Sequence, residues 1–129
     1  MKSYTDIEQS KKLAQILSME SVDMYYPNRT DTKYQGALPI EWKRGLPLLS
    51  QEIPCWSLAA LLGVLPKRLF DSTPKRKELY LLPDLDKSYC FYRQFAVKTK
   101  GEIYLLTEGG CLVDACYEMI LKLHEQKLL

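Results

Sequence analysis

Residues 77–108, KELYLLPDLDKSYCFYRQFAVKTKGEIYLLTE, decide the fold class. Three apolar, aromatic-rich runs, from Lys77, Ser88 and Glu102, carry the residue types that favour strands. The breaks between them, Pro83 to Lys87 and Thr99 to Gly101, are short and turn-like. Connections of that length join antiparallel neighbours, because a parallel crossover needs a dozen residues or more. A three-stranded antiparallel meander is therefore expected. Along the middle strand Tyr89, Phe91, Phe95 and Val97 share one face, and Cys90, Tyr92, Gln94 and Lys98 share the other. The first set, through Phe91 and Phe95, is expected to complete the core, and the second to be at least half wet.

Working outward, Gly109-Gly110 reads as a strand-to-helix hinge, after which Leu112, Cys116, Met119, Ile120 and Leu123 recur as the stripe of a core-facing helix. Asp114 in its first turn and Lys122 late in it suit the helix dipole. On the other side, Ile53 to Phe70, IPCWSLAALLGVLPKRLF, reads as a second helix, with Pro54 in its first turn, a nearly continuous apolar surface and Gly63 at its exit. Near the start, Thr5-Asp6-Ile7-Glu8 has the spacing of a capping box, and Ile7, Leu13, Ala14, Ile16 and Leu17 carry a helix to about Leu17. Between these helices, residues 27–51 hold Pro27, Pro39, Pro47, Gly36 and Gly45 among polar residues, the composition of a long irregular loop. Trp42 within it has the apolar area to fold part of the loop back onto the core.

The expected architecture is thus α+β, a three-stranded meander packed against about three α-helices. With 129 residues, 47% hydrophobic and 26% charged, one domain spanning 1–129 is the default. The longest uncharged apolar run, Trp56 to Pro66, falls short of the roughly 18 residues of a membrane span, and the first residues lack a signal-peptide core. Cys55, Cys90, Cys111 and Cys116 form no CxxC pair and lie among apolar neighbours, as reduced thiols of a cytoplasmic protein do.

Charge and motifs narrow the function classes further. The net charge of +2 is too small to imply a polyanion partner, but Lys67 to Glu102 hold nine basic against five acidic residues, leaving nine against eleven elsewhere. One histidine and no cysteine pair disfavour a zinc site, and no Walker loop, GxGxxG turn or Gly-x-Ser-x-Gly elbow is present. No cofactor, metal or membrane is expected.

Three site readings follow from particular residues. Ala59, Gly63 and Leu69 stand where a helix-turn-helix over 57–70 would place them, with Lys67, Arg68, Lys75 and Arg76 ready for phosphate. Only about five residues follow Pro66 before Asp71-Ser72-Thr73-Pro74, too few for a groove-reading helix, which favours a buried helix instead. Tyr80, Tyr92 and Tyr104 with Lys98 can form a sheet face that stacks bases or grips a peptide. Cys55 near a helix start is the one candidate nucleophile, with His124 as the sole histidine. The reading that fits best is a small non-enzymatic binding protein whose partner is another protein or itself, using Trp42 or the sheet face, with nucleic acid as the alternative.

YTDIEQSKKLAQIL (4–17), IPCWSLAALLGVLP (53–66) and VDACYEMILKLHE (113–125), about a third of the chain, resemble a group of small proteins without assigned activity. That group is found in the genomes of gut Bacteroidales, often in prophage or mobile-element surroundings. The resemblance implies a bacterial, cytoplasmic accessory protein and carries over no site residue.

Overall fold

The computed structural model describes residues 2–27, 38–42, 47–48, 52–69, 76–96 and 99–129, except the side chains of 95–96 and 99–101. The chain falls into two compact units, Lys2–Gly63 and Val64–Leu129.

In the first unit, α1 spans Ile7–Ala14. Its capping box lies one residue beyond the expected one: the Asp6 carboxylate accepts from the Gln9 amide at 2.8 Å, and the Gln9 side chain accepts from the Asp6 amide at 3.1 Å. Thr5 is drawn away from capping because it is fully buried. Its amide donates to the Trp56 carbonyl at 2.9 Å, and its hydroxyl accepts from the Trp56 amide at 3.2 Å while sharing a 2.8 Å hydrogen bond with Ser10. The helix stops at Ala14, short of Leu17, and the amides of Ile16 and Leu17 turn back to the Leu13 carbonyl.

Three short strands follow, β1 at Met24–Tyr26, β2 at Ile40–Glu41 and β3 at Ile53–Cys55, in an antiparallel sheet ordered β2-β1-β3. This sheet was not expected, since its strands are two or three residues long and border or interrupt the presumed loop. Within that loop, β2 pairs with β1 and the Trp42 amide donates to the Asp23 carbonyl at 3.1 Å. Most of the rest of 27–51 lies outside the described residues. Pro54 belongs to edge strand β3, opposite Tyr25, where a missing amide is tolerated. The helix that it was expected to open, α2, spans Leu58–Val64 and begins after Ser57. The Ser57 hydroxyl accepts from the Ala60 amide at 3.1 Å and donates to the Asp23 carboxylate, which also takes the Ser57 amide at 2.9 Å. Ser57 is thus both helix cap and tie to β1. The α2 surface is less covered than its apolarity suggests: Leu61 is buried, whereas Ala59 and Gly63 are exposed. Leu13, Val22, Tyr26, Cys55 and Trp56 complete this core.

The second unit contains the expected meander as β5 (Lys77–Leu82), β6 (Ser88–Ala96) and β7 (Thr99–Gly109), followed by α3 over Leu112–Glu125. A two-residue strand, β4 (Arg68–Leu69), pairs with β5 and makes the sheet four-stranded, in the order β4-β5-β6-β7. The fold is therefore mixed α and β, with three α-helices and two antiparallel sheets among the described residues, rather than one three-stranded meander on helices.

The faces of this sheet are also reversed from expectation. Cys90 and Tyr92 are fully buried, and α3 lies against their side of β6 and β7. The Thr107 hydroxyl donates to the Ala115 carbonyl at 2.7 Å, and Cys90 and Cys116 are both fully buried, so small groups let helix and sheet approach closely. Phe91 is left on the opposite, half-exposed face, and the side chain of Phe95 lies outside the described ones. In α3 the expected stripe is buried except for half-buried Leu112, and burial extends to Val113, Ala115 and Tyr117.

Candidate functional site

Strand register maps, row by row, the face of the four-stranded sheet turned away from α3, which no other element of its unit covers among the described residues. Tyr80, Phe91 and Leu106 are cross-strand neighbours in its central row. The Tyr80 and Phe91 rings stack with centroids 5.6 Å apart and planes 11° from parallel, which fixes both side chains without covering them. Above this row lie Leu82, Tyr89 and Glu108, and below it Arg68, Glu78, Arg93 and Ile103. Leu82, Ile103 and Leu106 stay 52%, 55% and 43% exposed. Apolar side chains are thus exposed in all three rows of this face, and the two outer rows also carry charges.

The ends differ in charge. Glu78 holds both Arg76, at 3.0 Å, and Arg68, at 3.7 Å, and Arg93 shares its row. At the other end Lys87 and Glu108 pair at 3.7 Å. Two guanidinium groups thus meet the Glu78 carboxylate at one end, and a lysine meets a glutamate at the other.

The expected tyrosine platform does not form, because its members point different ways. Tyr80 lies on the uncovered face, but Tyr92, opposite Leu79 and Leu105, is fully buried, with its hydroxyl donating to the Pro66 carbonyl at 2.6 Å. Burial pushes the Tyr92 hydroxyl well above the ordinary tyrosine pKa, so it stays protonated. Tyr104 is the extra residue at a register shift, since Tyr92 pairs with Leu105 and Arg93 with Ile103. Its ring receives the Lys77 ammonium at 4.6 Å. Lys98 and Lys75 lie outside the described residues.

The helix-turn-helix geometry is absent from the described part of 57–70. Gly63 lies inside α2 rather than in a turn after it, and β4 follows where a second helix would begin. The Pro66 carbonyl is taken by Tyr92 and the Lys67 carbonyl by the Leu79 amide at 3.0 Å, which commits this stretch to the sheet. Lys67 is exposed, and Trp42 is half-buried beside β2.

Cys55 has none of the features of an activated nucleophile. Its buried thiol faces the Thr5 hydroxyl at 3.5 Å and carbonyl at 3.4 Å, and desolvation pushes its pKa up. In the second unit the neighbouring Cys116 thiol and burial push the Cys90 thiol well up, while the Cys90 thiol holds Cys116 below the usual thiol range. All four cysteines are free. A groove of about 370 Å³ runs between Tyr4, Tyr26 and the start of α1. Two of its polar groups are already engaged: Asp6 caps α1 and meets Lys2 at 3.4 Å, and the Tyr26 hydroxyl donates to the Thr5 carbonyl at 2.6 Å.

The residues that the sequence reading missed are Leu82, Phe91, Arg93, Ile103 and Leu106. Their signal was present in the period-two alternation of the strand runs, but both faces of 88–97 are apolar and aromatic, so alternation alone did not say which face α3 would cover. Among the described residues no helix is long and apolar enough to cross a membrane, and no group of three or more metal-ligating side chains occurs. In comparisons with protein families, curated proteins and solved structures, the chain matches no family model, no curated protein and no solved structure.

Proposed function

We propose that the chain is a non-enzymatic binding protein of the bacterial cytoplasm, with the accessory role implied by the sequence resemblance, and that it receives a protein partner on the uncovered face of its four-stranded sheet. One observation carries this reading: Leu82, Ile103 and Leu106 stand exposed around the Tyr80–Phe91 stack on a single face. Clustered exposed apolar groups with a charged rim are characteristic of interaction surfaces rather than of surfaces meant only for water. Support for a protein over a polyanion comes from Glu78, which offsets the pull of Arg68 and Arg76 on phosphate. The free thiols of Cys55, Cys90 and Cys116 in the packed interior support a reducing compartment.

The test is capture from a bacterial lysate with the wild-type protein and with an Ile103→Glu/Leu106→Glu variant, each with and without nuclease. The expected outcome is a nuclease-resistant protein held by the wild type and lost by the variant. Recovery of nucleic acid, or identical proteins on both baits, would overturn the reading.

A further inference from the structure

We infer that Cys90 and Cys116 are a redox pair: two thiols in the resting protein, and a disulfide that clamps α3 onto the four-stranded sheet once a peroxide has oxidised them. This is independent of the protein-binding reading above and concerns the opposite face of the sheet. Both side chains are fully buried where α3 packs on β6 and β7. Cys90 stands on β6 opposite Thr107 of β7, and Cys116 lies in the second turn of α3. Thr107 measures how closely the two elements meet. Its hydroxyl is 2.7 Å from the carbonyl of Ala115, next to Cys116, and 3.3 Å from the carbonyl of Cys90 itself. One short side chain therefore spans the gap between sheet and helix at this place. A disulfide needs such an approach, with Cα atoms about 4.4–6.8 Å apart.

The roles of the two sulfurs differ. Cys90 holds its neighbour Cys116 below the usual thiol range, so Cys116 supplies the thiolate while Cys90 keeps its proton. The Cys116 thiolate attacks one oxygen of hydrogen peroxide, the O–O bond breaks, and the departing hydroxide takes up a proton and leaves as water. The Cys90 sulfur then attacks the sulfur of the resulting sulfenic acid, the S–O bond breaks, and the hydroxyl group leaves with the Cys90 proton as a second water. Two thiols lose two electrons and one peroxide gains them. A small thiol such as glutathione reverses the step by exchange, so the pair rests reduced in a reducing compartment. Because both sulfurs are buried, oxidation waits for α3 to lift locally from the sheet and is slower than that of an exposed thiol. Twenty-five residues separate the two cysteines, so the link restricts the unfolded chain and should raise the unfolding temperature by about 10 °C.

The experiment treats the intact, reduced wild-type chain with hydrogen peroxide under native conditions, blocks the remaining thiols and maps the unreduced peptides by mass spectrometry. The expected result is a peptide joining Cys90 to Cys116 within one chain, a mass lower by two hydrogens and the higher unfolding temperature, all reversed by dithiothreitol. Cys111→Ser, at the half-buried cap of α3, should keep the link and the shift, and Cys90→Ala should lose both. The wild-type map decides the matter even where Cys90→Ala does not fold. Thiols that all stay free, oxidation confined to Cys111, a link through Cys55 or Cys111, or a link between chains would overturn the inference. So would a Cys90–Cys116 link that forms only in urea, since the native fold would then hold the thiols apart. A link that leaves the unfolding temperature unchanged would overturn the clamp.

Discussion

At the scale of single residues, the two glycines that punctuate this chain have opposite roles. Gly109 ends β7 where the chain folds back under α3: a Cβ there would stand 2.5 Å from the Asp114 Cβ and 2.7 Å from the Ala115 nitrogen. Backbone cannot yield as a flexible side chain can, so Gly109→Ala should cost about 1–3 kcal/mol. Gly63 lies within α2, and a Cβ there meets nothing within 4 Å. Gly63→Ala should therefore stabilise by about 0.5–1 kcal/mol, since alanine loses less backbone freedom in a helix. Urea unfolding of the two variants is the check. A destabilised Gly63→Ala would mean that the glycine provides a turn after all, as the helix-turn-helix pattern supposed. The sequence reading identified Gly109-Gly110 as a hinge correctly, because a strand pattern ends and a helical one begins beside it. It misread Gly63 because a glycine near the end of an apolar run looks the same whether it terminates the helix or merely occupies it.

At the scale of elements, α1 illustrates how tertiary structure moves a local signal by one residue. Thr5-x-x-Glu8 and Asp6-x-x-Gln9 are overlapping capping boxes, equivalent on propensity alone. What separates them is the burial of Thr5, whose hydroxyl is committed to Ser10 and to the Trp56 amide across the unit. Long-range contacts of this kind are invisible to a window of four residues. The consequence is a specific order of effects. Asp6→Ala should cost about 1 kcal/mol, the ordinary value of a cap. Glu8→Ala should change stability by less than about 0.5 kcal/mol, as an exposed substitution. Thr5→Ala should cost more than either, about 2–3 kcal/mol, because buried groups of Ser10 and Trp56 lose their partner. Thermal unfolding of the three variants decides the matter, and a Glu8→Ala effect equal to that of Asp6→Ala would return the cap to Thr5. The candidate site follows the same logic. Strand identity and the β5–β6–β7 order were legible in alternation and turn chemistry, whereas the choice of face depended on Cys90 and Thr107 admitting α3 closely.

At the scale of the whole molecule, the three-stranded sheet of the first unit was the largest element the sequence concealed. Strands of two and three residues, one of them containing Pro54, carry too few side chains to display a period of two. Each of the two units also buries a tyrosine whose hydroxyl is tied to a backbone carbonyl, Tyr26 to Thr5 in one and Tyr92 to Pro66 in the other. Burial is the main cause that raises both above the ordinary tyrosine pKa of about 10, and the nearby Cys55 and Cys90 sulfurs add to it respectively. The sign of the linkage follows directly. Below pH 10 both hydroxyls are protonated whether the chain is folded or not, and their contribution to stability is complete. Above pH 10 the unfolded chain releases these protons while the folded chain keeps them, so folding stability falls as pH rises. Of the nine tyrosines, at least these two should resist ionisation until the protein unfolds, visible as a delayed step in ultraviolet absorbance. Tyr26→Phe and Tyr92→Phe should each lower stability at pH 8 by about 1 kcal/mol through the lost hydrogen bond and should each flatten the decline between pH 10 and 12. The outcome that contradicts this is a folded protein in which all nine tyrosines titrate together near pH 10, because hydroxyls that ionise in place are not held by these carbonyls.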